Sequence, residues 1–288
     1  MLWDVFPGAE HFGGAPANVA VHAAGLGAEA LMISAVGKDA RGDEALRRLA
    51  AFGVDCSAVA RLEGHPTGVV HVRVDAAGLP SYDIARGSAW DFIPWTAAVE
   101  RAARRADAIC FGTLAQAPPE SRATIRRAVA ATRETAWRLF DVNLRQTYYD
   151  LGVVVESLDL ANALKLNEEE LPVVARMCGL ESLTAVDQLR ELCGRFGLRL
   201  AALTRGACGS VLVSAQGVWE AAAPQTEIVD TVGAGDAFAA TLLVGVLAGE
   251  SLDAVNRRAN AVAAYVCSQA GATPPIPDAL RQDGGEGG

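Results

Sequence analysis

Asp230-Thr231-Val232-Gly233-Ala234-Gly235-Asp236, followed by the apolar run Ala237 to Leu243, is the stretch whose residue types could do chemistry. Gly233 and Gly235 let the backbone turn tightly and approach a ligand with no Cβ in the way. The apolar run reads as a buried helix. Its first N–H groups lack intrahelical partners and lie at the positive end of the helix dipole. Together these features make a candidate anion site with one carboxylate, Asp236, at its mouth. A glycine turn with Asp236 as a helix N-cap fits the same residues, so the rest of the chain must decide.

Several other chemistries lack their residues. There is no G-x-x-x-x-G-K-[ST] phosphate loop and no G-x-S-x-G nucleophile elbow. Gly233 and Gly235 have the first spacing of a dinucleotide fingerprint, but Phe238 stands where its third glycine belongs. What is left, a carboxylate beside an anion-binding turn, suits phosphoryl transfer to an alcohol. The turn's N–H groups would stabilise the transferring group and the carboxylate would accept the hydroxyl proton. The helix N-terminus favours ionised Asp236, which predicts a weak base whose main task is to orient the hydroxyl.

These residues must be held by a scaffold. Met1 to Phe6 reads as the end of a strand. A glycine-rich loop, His11 to Asn18, then leads into a helix over Val19–Ala24. Ala30–Val36 reads as a strand, followed by a helix from Glu44 to Phe52. Between Thr67 and Ile84, Val70, Val72 and Val74 alternate with polar residues and Ala77-Gly78 supplies a turn, which predicts a hairpin with one polar face. From Trp95 onward helices alternate with apolar strands at Ala108–Phe111, Leu139–Asn143, Ala163–Leu166 and Leu200–Leu203. An edge hairpin over Val211–Val213 and Gly217–Glu220 and two helices from Ala237 and Leu252 close the chain. Such alternation implies a parallel sheet with helices on both faces and ligands at the carboxyl ends of the strands. Asp4, Asn143, Arg145, Asn167, Glu170, Thr204 and Arg205 stand at strand ends and are expected to converge on one rim, which favours the anion-site reading.

The totals agree. With 288 residues, 51% hydrophobic and a net charge of -9, the chain is long enough for a large α/β core and too acidic for a general nucleic-acid or membrane-surface binder. No segment is apolar and long enough to span a bilayer. The six cysteines form no C-x-x-C pair and no zinc spacing with histidine, so reduced thiols and a cytoplasmic location are expected. Arginine is abundant while Lys38 and Lys165 are the only lysines, which reads as composition bias.

At this point the sequence resembles the ribokinase/PfkB family of carbohydrate kinases. Gly13-Gly14-Ala15-Pro16-Ala17-Asn18 is similar to its N-terminal signature and Asp230 to Phe238 to its C-terminal one. Asn167-Glu168-Glu169-Glu170 resembles its N-x-x-E, and Thr204 to Gly209 its nucleotide loop. The resemblance implies a ribokinase-like α/β fold, a mostly parallel central sheet with helices on both faces plus a small β lid. Residues 1–66 and 93–280 would form the main domain, 67–92 the lid and 281–288 a disordered tail. It further implies Asp236 as catalytic base with Gly233, Ala234 and Gly235 as anion hole. ATP would lie on Asn167, Thr204, Arg205, Gly206, Gly209, Asn260 and Ala263. The sugar would lie on Asp4, Gly13, Gly14, Asn18, Asn143 and Arg145. Glu170 would organise Mg²⁺, and carbonyls around Asp230 and Val232 a monovalent cation such as K⁺. In many members paired lids form a homodimer contact.

Within that family, Leu2 to Pro7, Gly13 to Pro16 and Asp141 to Arg145 look most like fructokinases. A 2-keto-3-deoxygluconate kinase shares much of this, and its carboxylate would want a cation such as Arg145. A sugar or nucleotide sensor without catalysis is the rival from another class; the joint presence of Asp236, the glycines and Glu170 speaks for the enzyme. Family members begin several residues earlier, with an apolar strand ahead of the position of Leu2. The comparison predicts a groove in the core, a misassigned start rather than a compromised protein, and a more stable chain when extended.

Overall fold

A computed structural model describes residues 1–6, 8–74 and 80–281. Four parallel strands form the body of its six-stranded sheet: β7 (Ala108–Phe111), β8 (Trp137–Asp141), β9 (Ala163–Asn167) and β10 (Leu200–Thr204). The antiparallel pair β11 (Ser210–Ser214) and β12 (Gly217–Ala221) completes it at one edge, in the order β12-β11-β10-β9-β8-β7. Because side chains alternate along a strand, each strand feeds two cores. Leu139, Leu200 and Leu212 pack with α1 (Ala15–Gly25), α8 (Ala234–Leu247) and α9 (Leu252–Cys267) on one face. Phe140, Leu164, Leu166 and Val211 pack on the other with α5 (Leu151–Leu160), α6 (Glu170–Met177) and α7 (Ala185–Phe196). Phe238 and Leu242 of α8 are almost fully buried, each contributing about 1.5–3 kcal/mol of transfer free energy.

The remaining elements are α2 (Ala40–Ala51), α3 (Ala97–Arg105), α4 (Pro119–Ala131) and the terminal turn α10 (Asp278–Arg281). Short polar residues cap several helix starts: Asp39 accepts from Gly42 N at 2.8 Å and Asp150 from Val153 N at 2.7 Å. Of the tail expected to be disordered, Arg281 closes α10 and residues 282–288 lie outside the described residues. The turn expected at Ala77-Gly78 also lies outside them.

The small sheet differs from the expected hairpin. It has four strands in the order β2-β1-β5-β6, formed by β1 (Leu2–Phe6), β2 (Ala9–Gly13), β5 (Gly68–Val74) and β6 (Pro80–Ile84). Residues 1–13, assigned by sequence to the main domain, thus supply half its strands. β1 runs parallel to β5, placing Asp4 beside Val70, and β2 turns back antiparallel on β1. Residues 9–13, expected to be mostly loop, are a strand because β1 offers them a hydrogen-bonding edge. α1 begins at Ala15 rather than Val19, with a proline in its first turn, where a missing N–H costs nothing.

The strand expected over Ala30–Val36 shrinks to β3 (Ser34–Gly37), which among the described residues pairs only with β4 (Val59–Leu62). β3 and β7 therefore each end a separate sheet. Between them runs a groove lined by Leu31, Ile33, Ala108, Ile109 and Cys110 and continuous with the cleft described below. Val19 and Ala23 of α1 line one flank of it, and Ala98 and Ala102 of α3 the other. Met1 is buried at this groove, and desolvation lowers its amino group to about 6.

Candidate active site

α8 starts at Ala234 with Gly233 as its N-cap, so Asp236 lies in the first turn and is not the cap. No side chain caps this helix, and Gly233, Ala234 and Gly235 at its start line the cleft, where an anion site would lie. Gly233 has φ of 83°, and a Cβ there would stand 2.2 Å from the Ala272 carbonyl oxygen, so only glycine fits. The Asp236 carboxylate accepts a hydrogen bond from Asn18 Nδ2 at 2.8 Å. Burial pushes the Asp236 carboxyl up to about 7, helped by the nearby Asp141; Asn18, Lys165 and Arg145 pull the other way. The weak base expected from the helix dipole alone is therefore corrected. Burial and the neighbouring Asp141 make this carboxyl less acidic than its place at a helix start suggests, so that it titrates near neutral pH.

β1, β2 and the start of α1 bring a second set of groups to the same place. An added Cβ at Gly13 would lie 3.5 Å from Asp4 Oδ2 and 4.0 Å from Asn18 Oδ1, so Asp4, Gly13 and Asn18 border one small polar space. Burial raises the Asp4 carboxyl, against the opposing charges of His11 and Arg145. Asn18 is buried and its Oδ1 has no protein partner among the described residues. Such an orphaned acceptor suits a ligand hydroxyl. Gly14, with φ of 104°, is the N-cap of α1. After β8, Asn143 holds φ of 43° while Thr113 Oγ1 donates to the carbonyls of Val142 and Asn143 at 2.9 and 3.2 Å. That turn leaves Arg145 exposed at the rim.

Asn167 and Glu170 form a reciprocal cap at the start of α6. Asn167 Oδ1 accepts from the Glu170 N–H at 2.9 Å, and Glu170 Oε2 accepts from the Asn167 N–H at 2.9 Å. Glu170 Oε1 accepts from Leu144 N at 2.8 Å, tying α6 to the turn that carries Arg145. Burial raises the Glu170 carboxyl. Among the described residues no three or more His, Cys, Asp or Glu side chains cluster as metal ligands. Each Glu170 oxygen keeps a lone pair, so this residue could hold a divalent cation through its bound waters rather than directly. Asp230 braces the approach to α8 by accepting from Val232 N at 3.0 Å and Gly271 N at 3.2 Å.

In the loop expected to hold the nucleotide, Thr204 ends β10, and Gly206 to Cys208 form one tight turn closed by Gly209, whose φ is 81°. A Cβ at Gly209 would meet the Ala221 carbonyl at 2.0 Å. Arg205 departs from its expected place: it alone of the site residues named from the sequence does not line the cleft. Its guanidinium pairs instead with Glu220 at 3.3 Å across the β11–β12 edge. Asn260 lines the cleft with Ala263, but its Nδ2 is already spent on Ser210 Oγ at 2.6 Å and the Asn256 carbonyl at 2.8 Å. The other residues named from the sequence line one continuous cleft of about 3210 Å³.

Two residues that sequence reasoning passed over lie beneath this site. Lys165 Nζ donates to both carboxylate oxygens of Asp141, at 3.0 and 3.1 Å, and both residues are buried. The signal was present: a lysine inside Ala163-Leu164-Lys165-Leu166 must find a counter-charge if that strand is central. His22 is buried nearby, with Nε2 2.9 Å from the Ala272 carbonyl that packs on Gly233.

Comparison with known proteins shows the family and the fold. The profile of the pfkB family carbohydrate kinases matches residues 7–279. The sugar kinase PH1459 of Pyrococcus horikoshii is 32% identical over 284 residues, covering 94% of this chain and 85% of its own. A fructokinase of Salmonella typhimurium is 33% identical, covering 82% of this chain and 77% of its own. The crystal structure of PH1459 in complex with ATP superposes with a TM-score of 0.80 at 29% identity, over 94% of this chain and 91% of that one. A Vibrio cholerae fructokinase in its fructose-, ADP- and calcium-bound form gives a TM-score of 0.78 at 25% identity, over 96% and 93%. The chain belongs to the pfkB family of carbohydrate kinases and has the ribokinase-like fold. It is a sugar kinase.

Proposed function

We propose that this chain transfers the γ-phosphoryl group of ATP to the 6-hydroxyl of fructose. The observation that carries the proposal is the position of Asp236. It is a carboxylate at the first turn of an uncapped helix, hydrogen-bonded to Asn18 and pushed up to about 7. Asp4, Gly13, Gly14, Asn18 and Asn143 would hold the sugar hydroxyls, placing one of them against Asp236. That hydroxyl oxygen bonds to the γ-phosphorus, its proton passes to Asp236, and the bond to the bridging oxygen of ADP breaks. The N–H groups of Gly233, Ala234 and Gly235 stabilise the charge on the group in transit.

Thr204, Gly206, Gly209 and Ala263 would line the nucleotide, with Asn167 near its phosphates. Mg²⁺ bound with ATP would neutralise phosphate charge, and Glu170 would hold its waters. Carbonyls near Asp230 and Val232 would take K⁺. The small sheet acts as a lid that excludes water, so that ATP is not hydrolysed, and lids paired across a homodimer would give it rigidity. The six free cysteines are in keeping with a cytoplasmic enzyme. Fructokinases among the relatives support fructose as the acceptor.

Arg145 supports a second reading. Its charge acts on both Asp4 and Asp236, which suits an acidic acceptor such as 2-keto-3-deoxygluconate. A coupled ADP-release assay with ATP, Mg²⁺ and a panel of sugars, keto-acid sugars and nucleosides decides. Fructose should give the highest kcat/KM. A higher value for the keto-acid sugar assigns that substrate instead, and no acceptor-dependent ADP at all favours a non-catalytic sensor.

A further inference from the structure

Lys165 and Asp141 are directly opposite each other on the parallel strands β9 and β8. Both have the strand parity of Leu139 and Ala163, so both point at the face covered by α8. A Cβ built on Gly235 would come within 3.1 Å of Lys165 Nζ, so the ammonium lies directly under the turn that carries Asp236. Buried ion pairs are weak sources of stability, because desolvation offsets most of the attraction and apolar replacements often do as well. A pair set at this spot therefore calls for a use other than holding the fold together.

We propose that the buried Lys165–Asp141 pair, set directly beneath the turn that carries Asp236, is a positioning device for phosphoryl transfer whose two charges act on that carboxylate. The inference rests on the kinase reading of the site. Two like charges in one low-dielectric space cannot both ionise freely, and an adjacent cation relieves them. The charged and titratable groups acting on Asp236 are Asp141 after β8, Lys165 on β9 and Arg145 in the rim turn, with the amide of Asn18 from α1. Cys110 on β7 faces the same space, and Glu170 of α6 shares the field of Lys165. Of these, Asp141 opposes ionisation of Asp236, and Lys165, Arg145 and Asn18 favour it. Without Asp141 the carboxylate would be a poorer base. Without Lys165 it would ionise less readily at neutral pH and act more slowly.

The test is the titration of Asp236 itself, followed by carboxyl ¹³C NMR of aspartate-labelled protein and assigned with Asp236→Asn. Asp141→Asn should lower the midpoint and Lys165→Met raise it, each by roughly one pH unit. Asp141→Asn with Lys165→Met together should return it towards the wild-type value. This double variant leaves no unpaired buried charge and is the control should Lys165→Met fold poorly. The acid limb of kcat/KM should move in the same directions. Midpoints that stay put, or that move the same way in both single variants, overturn the proposal. The NMR titration reads Asp236 whether or not the protein turns over a sugar, so its outcome is separate from that of the kinase assay.

Discussion

Asn18 Nδ2 donates to Asp236 Oδ2 at 2.8 Å, joining α1 to the first turn of α8 across 218 positions of sequence. One amide thus serves two ends of the proposed reaction, since its other atom, Oδ1, is buried with no protein partner among the described residues. Asn18→Ala removes a donor to the charged form of Asp236 and should make that carboxylate harder to ionise. The expected result is a 10- to 100-fold loss of kcat/KM, in line with about 1.5–3 kcal/mol for a hydrogen bond to a charged group. Melting should change little. A loss confined to KM, with an unmoved pH profile, would mean that Asn18 touches the sugar alone.

The pH dependence follows from burial of the same carboxylate. Asp236 must be ionised to accept a proton, so kcat/KM should climb with pH and level off above about 7. Stability has the opposite sign. The folded state holds the Asp236 proton more tightly than the unfolded chain, whose aspartate titrates near 3.8. The group's stabilising contribution is therefore complete below that value and is lost as pH rises through about 7. Thermal melts at pH 4.5 and 7.5 of wild type and Asp236→Asn check this: the difference between the two proteins should be larger at pH 7.5, in favour of the variant.

Two glycines with left-handed backbones should respond differently to alanine. Gly53, with φ of 78°, has nothing within 4 Å of an added Cβ, so Gly53→Ala should cost only the backbone strain of about 1–2 kcal/mol and leave turnover intact. Gly233→Ala adds a clash with the Ala272 carbonyl, 2.2 Å away. It should displace the helix start and reduce kcat at least 100-fold. Melting curves and steady-state rates on the two variants separate strain from loss of the anion site.

The groove between β3 and β7 leaves two strand edges unpaired with each other and a buried amino group at Met1. A segment of β-branched residues fused ahead of Met1 should add hydrogen bonds to those edges and fill apolar volume. Differential scanning calorimetry should show a higher Tm than the same fusion built from glycine and serine. Equal melting temperatures would mean that the groove does not accept a strand.

What could be read from the sequence was local chemistry. The glycine turn before Asp236, the cap formed by Asn167 and Glu170 and the turn from Thr204 to Gly209 are each written in consecutive residues. Their convergence follows from strand ends in a parallel sheet. Facts of register were hidden. That Asp141 stands opposite Lys165, that Arg205 reaches Glu220 across an edge, and that β1 joins β5 depend on which strands become neighbours. The strength of Asp236 as a base was misjudged for a related reason. A helix dipole can be inferred from a short motif, whereas desolvation depends on everything packed around it.

The central claim is that Asp236 accepts the proton of a sugar hydroxyl during phosphoryl transfer. Its most direct test is Asp236→Asn, assayed for acceptor-dependent ADP formation and for ATP binding by calorimetry on the same preparation. ATP should bind with a Kd within a few-fold of wild type while kcat falls by about 10²–10⁴. A variant that binds ATP and turns over the sugar at close to the wild-type rate would contradict that claim.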